Sequence, residues 1–275
     1  MKQLKLNMEN KLDVSVILPI KSALAKDFDE YFEKAVKSVQ LQQTGIKELI
    51  IVHSSEEQLV TKLKSYDFKE LSVKLVEFDG EPNFSAQVNR GIESSTSEWI
   101  SILEFDDEYA SIWFKNVKKY AEAYPDAQAF LPIVVDVDSK GVFAGFTNEA
   151  TFAANFAMEM GILTNESLHN YQNFQTSGMA VKRASVVECG MFKPTIKLTF
   201  IYEFLLRLTY NSAKVITIPK IGYKHVNLRE GSIFWNYKNG ETILSDDEVK
   251  FWISIAKKEY FFTKDRGIKY EPQLV

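Results

Sequence analysis

The chain has 275 residues, 45% hydrophobic and 25% charged, a balance that excludes a disordered polymer and leaves enough apolar side chain for a substantial core. A formal net charge of -4 gives no general attraction to nucleic acid or anionic lipid, although a local basic face can still exist, and no nucleic-acid partner is expected. The single cysteine, Cys189, excludes an internal disulfide or a cysteine-rich metal site and reads as a core thiol. No apolar run reaches the roughly 18 residues of a membrane span, and the polar stretch Met1 to Asn10 lacks a signal-peptide core. A soluble cytoplasmic protein is expected, with peripheral attachment at the inner face of the membrane left open.

The first half alternates strand-like and helix-like segments. Val14 to Leu18 reads as a buried strand ended by Pro19, and Asp27 to Leu41 as a helix whose apolar positions Phe28, Tyr31, Phe32, Ala35, Val36 and Val39 keep helical spacing. Asp27 with Glu30 offers a capping box, and Gly45 lies beyond the helix end. Glu48 to His53 is a second strand, followed by a helix through Leu63 for which Ser54 and Glu57 offer another capping box. Ser72 to Phe78 reads as a strand, Asn83 to Ser94 as a short helix, Trp99 to Glu104 as a fourth strand, and Ser111 to Ala123 as an amphipathic helix stopped before Pro125. Strands separated by helical crossovers predict a parallel sheet.

The second half is less regular. Ala129 to Val137 reads as a strand, Thr151 to Leu163 as an apolar helix, Ser177 to Val181 as a short strand and Tyr202 to Thr209 as a helix. Lys214 to Ile218 and Gly222 to Val226 read as strands, and Asp246 to Phe262 as a closing helix with Val249, Trp252, Ile253, Ala256 and Tyr260 on one side. No linker-like composition separates the halves and no internal repeat is visible, so residues 1–275 are read as a single domain.

The most informative run is Trp99 to Glu108, a buried strand that ends in Glu104, Asp106, Asp107 and Glu108. Clustered acids at the rim of a sheet repel one another unless a basic side chain or a divalent metal neutralises them. A solvated acidic turn is the plainer alternative. In open parallel sheets ligands bind outside the carboxyl ends of the strands, where strand order reverses. If strands one and four are neighbours, Pro19 to Ser22 and Glu104 to Glu108 share one crevice, and backbone amides plus carboxylates suit a diphosphate held through a metal.

The segments Val14 to Pro19, Ile50-Ile51-Val52, Asn89-Arg90-Gly91-Ile92 and Trp99 to Asp107, in that order and spacing, resemble the amino half of family-2 glycosyltransferases of the GT-A fold. Downstream, Ser177-Gly178, Gly190-Met191-Phe192, Glu203 to Leu208 and Tyr223 to Ser232 resemble the family's acceptor half. The resemblance implies an α/β fold with a mostly parallel Rossmann-like sheet flanked by helices. Residues 1–110 would form the nucleotide-sugar-binding half, and 111–275 a less regular acceptor half with a C-terminal helix.

It further implies inverting, metal-dependent transfer of a sugar from a nucleotide-diphosphate donor to a hydroxyl, in glycan or polysaccharide synthesis. The cofactor would be Mg2+ or Mn2+, and the acceptor a glycan or lipid-linked group; a homodimer stays open. Asp106 would be the direct metal ligand, with His225 completing the shell and Glu104 facing the donor's ribose or a metal-bound water. The remaining donor-binding residues would be Pro19, Lys21, His53, Ser54, Asn89 and Arg229, with Asp107 and Glu203 in catalysis. Arg229 and Ser232 resemble the family's loop over the donor phosphates, where an arginine fork makes paired bonds.

Two positions depart from the pattern. His53-Ser54-Ser55 stands where the family carries an acidic pair that binds the donor base. Phe200-Ile201 stands where the family carries its acidic catalytic pair, which leaves Glu203 as the nearest carboxylate, with an i,i+4 pairing to Arg207 as its structural alternative. That departure motivates a rival reading, a GT-A domain that binds a nucleotide sugar or glycan without turnover. Nucleotidyl transfer would need a glycine-rich first loop, which Ser22 to Lys26 is not, and no dinucleotide fingerprint, phosphate loop or HExxH motif is present. Three other features read as structural first: His169 as a surface residue, Phe152 to Met160 as core rather than acceptor pocket, and the aromatic stretch Trp252 to Phe262 with Lys257, Lys258 and Lys264 as core packing rather than a membrane-facing surface.

Overall fold

The computed structural model describes residues 11–25, 27–80, 83–149, 161–227, 229–230, 232, 235 and 245–272. Strands β1 (Val14–Ile20), β2 (Glu48–Ser54), β3 (Val73–Phe78) and β4 (Trp99–Ile102) alternate with helices α1 (Phe28–Gln40), α2 (Glu57–Ser65) and α3 (Phe84–Ser94). After β4 the chain forms β5 (Glu108–Tyr109), α4 (Trp113–Ala123), β6 (Ala129–Val137), β7 (Phe143–Thr147), β8 (Gly161–Leu163) and α5 (Asn165–Asn170). It closes with β9 (Ala180–Lys182), α6 (Arg183–Glu188), α7 (Phe200–Tyr210), β10 (Val215–Val226) and α8 (Asp246–Glu259).

These strands make one sheet in the order β3-β2-β1-β4-β9-β6-β10-β5, with β7 against β6 and β8 against β10. The β3-β2-β1-β4 portion and the β6-β10 pair are parallel, while β5, β7, β8 and β9 enter antiparallel. Side chains of a strand alternate between faces, and here both faces are covered. Val14, Val16, Leu18, Leu49 and Ile51 pack on one side against Phe28, Phe32 and Val36 of α1, Leu59 of α2 and Trp113 of α4. Ile17, Ile50 and Val52 pack on the other against Val88 and Ile92 of α3, Phe204 and Leu205 of α7 and Trp252 of α8. This double cover explains why β1 is buried along its whole length and reads as an unbroken apolar run. Gly91 is required where α3 meets β1, because a Cβ there would lie 2.4 Å from Ile17 Cγ2.

Several local expectations are overturned. Asp27 adopts a left-handed backbone (φ 58) and makes no cap bond, and Glu30 pairs with Lys34 instead. Ser54 cannot cap α2 because it is still extended in β2, paired with Phe78 of β3. The capping box that does form joins Ser245 to Glu248 at the start of α8. The predicted helix over residues 151–163 lies outside the described residues up to 160, and its end, Gly161–Leu163, is a strand held by β10. The two strands predicted around Pro219 are one, β10, whose pairing with β6 shifts register between Thr217 and Tyr223. The strand predicted over Ser177 to Val181 begins only at Ala180 and runs antiparallel. Trp252, Ala256 and Tyr260 of the closing helix are buried as expected, whereas Val249 is exposed.

Candidate active site at the carboxyl ends of the parallel strands

The register Val14 with Trp99 through Ile17 with Ile102 makes β1 and β4 neighbours, so their carboxyl ends open on the same crevice. The acidic run turns back after β4, with the Asp107 backbone N–H bonded to the Glu104 carbonyl at 3.1 Å. It then enters β5, which pairs antiparallel with β10 through Tyr109 with Tyr223 and Glu108 with Lys224. The next step along each strand therefore sets Asp107 beside His225. Asp107 Oδ2 lies 2.9 Å from His225 Nδ1, and its Oδ1 accepts the Val226 backbone N–H at 2.8 Å. Tyr223 fixes the turn from the other side, its hydroxyl accepting the Glu104 backbone N–H at 3.0 Å. A Cβ at Gly178, whose φ is +71, would lie 2.5 Å from the Tyr223 ring, which accounts for glycine after Ser177.

Glu104, Asp107 and His225 each offer a ligand atom within 4.8 Å of the others. Burial, then the Asp107 charge, lifts the Glu104 carboxyl to about 7, against the pull of His225 and a 2.8 Å hydrogen bond donated by Ser177 Oγ. Burial alone would lower His225, but the adjacent Asp107 carboxylate outweighs it and raises the imidazole to about 10. Asp106 is also raised, by burial and by Asp107, against the opposing pull of Arg229. Arg229 Nε donates to Asp106 Oδ2 at 2.5 Å, and the guanidinium lies over the Phe105 ring at 4.6 Å. Three carboxylates thus face two cations, an arrangement in which added positive charge is favourable. The donor set, two carboxylates and one imidazole, can hold a divalent ion. With Nδ1 committed to Asp107, Nε2 of His225 is the nitrogen that can meet a ligand.

The cleft over this cluster measures about 620 Å³. Pro19, Lys21 and Ser22 after β1, Glu104 and Asp106 after β4, and His225, Arg229 and Ser232 from β10 onward all line it. Phe200 and Ile201 form part of the opposite wall with Phe84, Ile196 and Lys197. Other sequence candidates lie elsewhere. His53 is buried within β2, its Nδ1 at 2.9 Å from the Ser54 carbonyl, and neither residue lines the cleft. Asn89 ties α3 to the second half through bonds of 2.8 and 2.9 Å to the Phe192 backbone. Glu203 is fully buried on α7, with both oxygens on Arg207 and Oε1 also 2.9 Å from Lys193 Nζ, so it cannot reach an acceptor in the cleft.

Asp106, expected as the direct ligand, lines the cleft but is paired with Arg229, and it is Asp107 that groups with Glu104 and His225. Sequence reading missed Gln87, whose amide donates to the Ile20 and Val52 carbonyls at the ends of β1 and β2, and Gln175, which accepts from Ser177. Neither carries a local signal, since each acts on partners far away in sequence.

The chain matches the family model described as Glycosyl transferase family 2 over residues 15–189, more than half its length. It belongs to glycosyl transferase family 2. The fold agrees with the expected GT-A architecture: the chain superimposes on a crystal structure of S. aureus TarS 1-349 in complex with UDP-GlcNAc with a TM-score of 0.63 at 16% identity, covering 88% of this chain and 65% of that one. The same TarS segment in complex with UDP gives 0.59 at 14% identity, covering 90% and 71%. A crystal structure of TarS gives 0.58 at 15% identity, covering 91% and 44%. This glycosyl transferase family 2 chain therefore spans about two thirds of the TarS segment and less than half of TarS. No curated protein matches it in sequence.

Proposed function

We propose that this family-2 domain transfers a sugar from a nucleotide-diphosphate donor to an acceptor hydroxyl, with inversion, in the assembly of a glycan or lipid-linked saccharide. The observation that carries the reading is the group of Glu104, Asp107 and His225 at the rim of the sheet, opening on a cleft large enough for such a donor. The two TarS complexes, with UDP-GlcNAc and with UDP, support a uridine diphosphate sugar as the first donor to try.

In this reading Glu104 and His225 hold Mg2+ or Mn2+, with Asp107 as a further ligand or as the carboxylate that orients His225. When bound, the ion neutralises charge that grows on the departing diphosphate. Arg229 exchanges Asp106 for a diphosphate oxygen, its planar fork suiting that geometry, and Lys21 adds charge from the β1 side. Ser177 holds the Glu104 carboxylate in place.

The test is a thermal-shift screen of nucleotide sugars with and without Mn2+, followed by product detection. A donor present at about 100 times its dissociation constant should raise the midpoint by roughly 5 °C or more, only with metal, and not in Glu104→Ala. Absence of any shift across the panel, with or without metal, overturns the reading. A second reading is favoured by Phe200 and Ile201, apolar residues of the cleft wall that stand, by the sequence resemblance, where the family carries its acidic pair. There the domain binds the donor and transfers nothing, and a metal-dependent shift with no product after long incubation selects it.

A further inference from the structure

The stretch after α8 presents an unusual surface. Phe261 and Phe262 are 52% and 43% exposed, and Tyr210 of α7, 52% exposed, stands edge-on to Phe261 at 5.3 Å. The apolar face of α8 is buried, so the outward aromatics are those beyond the helix rather than those on it. Phe261 stacks at 4.1 Å on the buried ring of Tyr260. The same stretch carries the exposed cations Lys258, Lys264, Arg266 and Lys269, and the Arg266 guanidinium lies 4.2 Å from the centre of the Phe262 ring.

Two of the three acids in residues 258–272, Glu259 and Asp265, are withdrawn from the surface charge, while Glu271, two residues after Lys269, is exposed. Glu259 is 3% exposed and paired with Arg266, and Asp265 accepts from Thr195 Oγ at 2.6 Å and from the Thr195 and Gly267 backbone N–H groups. In a chain of net charge -4, residues 257–271 carry five basic and three acidic side chains, so the stretch is locally cationic, with the exposed Lys258, Lys264 and Lys269 flanking Phe261 and Phe262 in sequence. The pairing of exposed phenylalanines with lysines is the pattern of a surface that enters the headgroup layer of a charged bilayer. The stretch is fastened to the 193–195 loop through Lys193 to the Glu259 carbonyl and Thr195 to Asp265, and the next residues, Ile196 and Lys197, line the cleft.

We infer that the face formed by Tyr210, Phe261, Phe262, Lys258, Lys264 and Lys269 docks on an anionic lipid bilayer, with the cleft's Ile196–Lys197 wall beside the membrane. Attachment is peripheral, since no described helix is long and apolar enough to cross a membrane. The inference stands independently of sugar transfer.

Flotation of the whole chain with phosphatidylcholine vesicles, with and without about 30% phosphatidylglycerol, tests it, each at salt of about 0.1 and about 0.5 M. Binding is expected only to the anionic vesicles and should weaken at the higher salt. Each of Lys258→Gln, Lys264→Gln and Lys269→Gln should lower the partition coefficient about fivefold, and the Phe261→Ser, Phe262→Ser double variant should lower it further at unchanged charge. All five side chains are exposed, so unchanged thermal unfolding identifies the loss as one of binding rather than folding. The inference is overturned if the wild type stays unbound to anionic vesicles, if the variants float as well as wild type, or if the chain binds soluble heparin through these lysines and ignores vesicles.

Discussion

At the scale of single residues, the site is governed by Asp107. It is fully buried, and both its oxygens are engaged by the strand that returns beside it, one by the Val226 N–H and the other by His225. His225 keeps its proton in the folded chain up to about pH 10, whereas in the unfolded chain it releases it near 6.5. The stability this pair contributes is whole below pH 6.5, declines as pH rises and is gone above about 10. Urea unfolding of the metal-free protein should accordingly show falling stability between pH 7 and 10, and His225→Gln should flatten that limb; an unchanged slope in the variant counts against the pairing. Glu104 behaves oppositely. Raised to about 7 mainly by burial, it is partly protonated at neutral pH and must give up that proton to a divalent ion. Mn2+ affinity should therefore rise from pH 6 to 8 with proton release, visible by calorimetry in two buffers of different ionisation enthalpy, and Glu104→Gln should lower the number of protons released, leaving the one that His225 gives up.

At the scale of elements, α7 explains why a residue that reads as a catalytic carboxylate serves the core instead. Glu203 and Arg207, one turn apart, bond bidentately at 2.8 and 2.9 Å. Arg207 reaches on to the Cys189 and Met191 carbonyls, and Lys193 joins Glu203 to the Glu259 carbonyl at the end of α8. Each partner satisfies a buried group on a different element, so the cluster locks α7, α8 and the loop after α6 together. Removing one charge strands the others in a dry environment, where the cost is about 3 to 5 kcal/mol. Glu203→Gln should lose that much in urea unfolding while the folded fraction keeps its donor and metal affinity; intact stability, or a lost donor site in the folded fraction, contradicts this assignment. The i,i+4 spacing was legible in the sequence, but the deciding partners, Lys193 and the carbonyls of 189 and 191, were not. The same limit applies to the helix caps. Asp27 and Ser54 have suitable side chains, but a left-handed backbone at one and strand pairing at the other keep both from capping.

At the scale of the whole molecule, the regular β-α alternation through β4 was readable because each element carries its own periodicity and both sheet faces are covered. The second half was less readable because its short strands β5, β8 and β9 gain their identity only from partners far away in sequence. The chief of these partners is β10, which pairs with β5, β6 and β8 and supplies His225 to the site. Its residues also enter both cores, Val215 on one face and Ile216, Ile218 and Tyr223 on the other. The family match ends at residue 189, before β10, α7 and α8. A fragment of residues 11–189 would keep Glu104, Asp106 and Asp107 but lose their compensating cations. It would also bare the apolar face of α3 that α7 and α8 cover. Such a fragment should show no cooperative urea transition and no metal-dependent donor binding, whereas the full chain should show both. A fragment that unfolds cooperatively and binds donor would mean that the amino half assembles its site without β10, and that the Asp107 to His225 link is incidental to it.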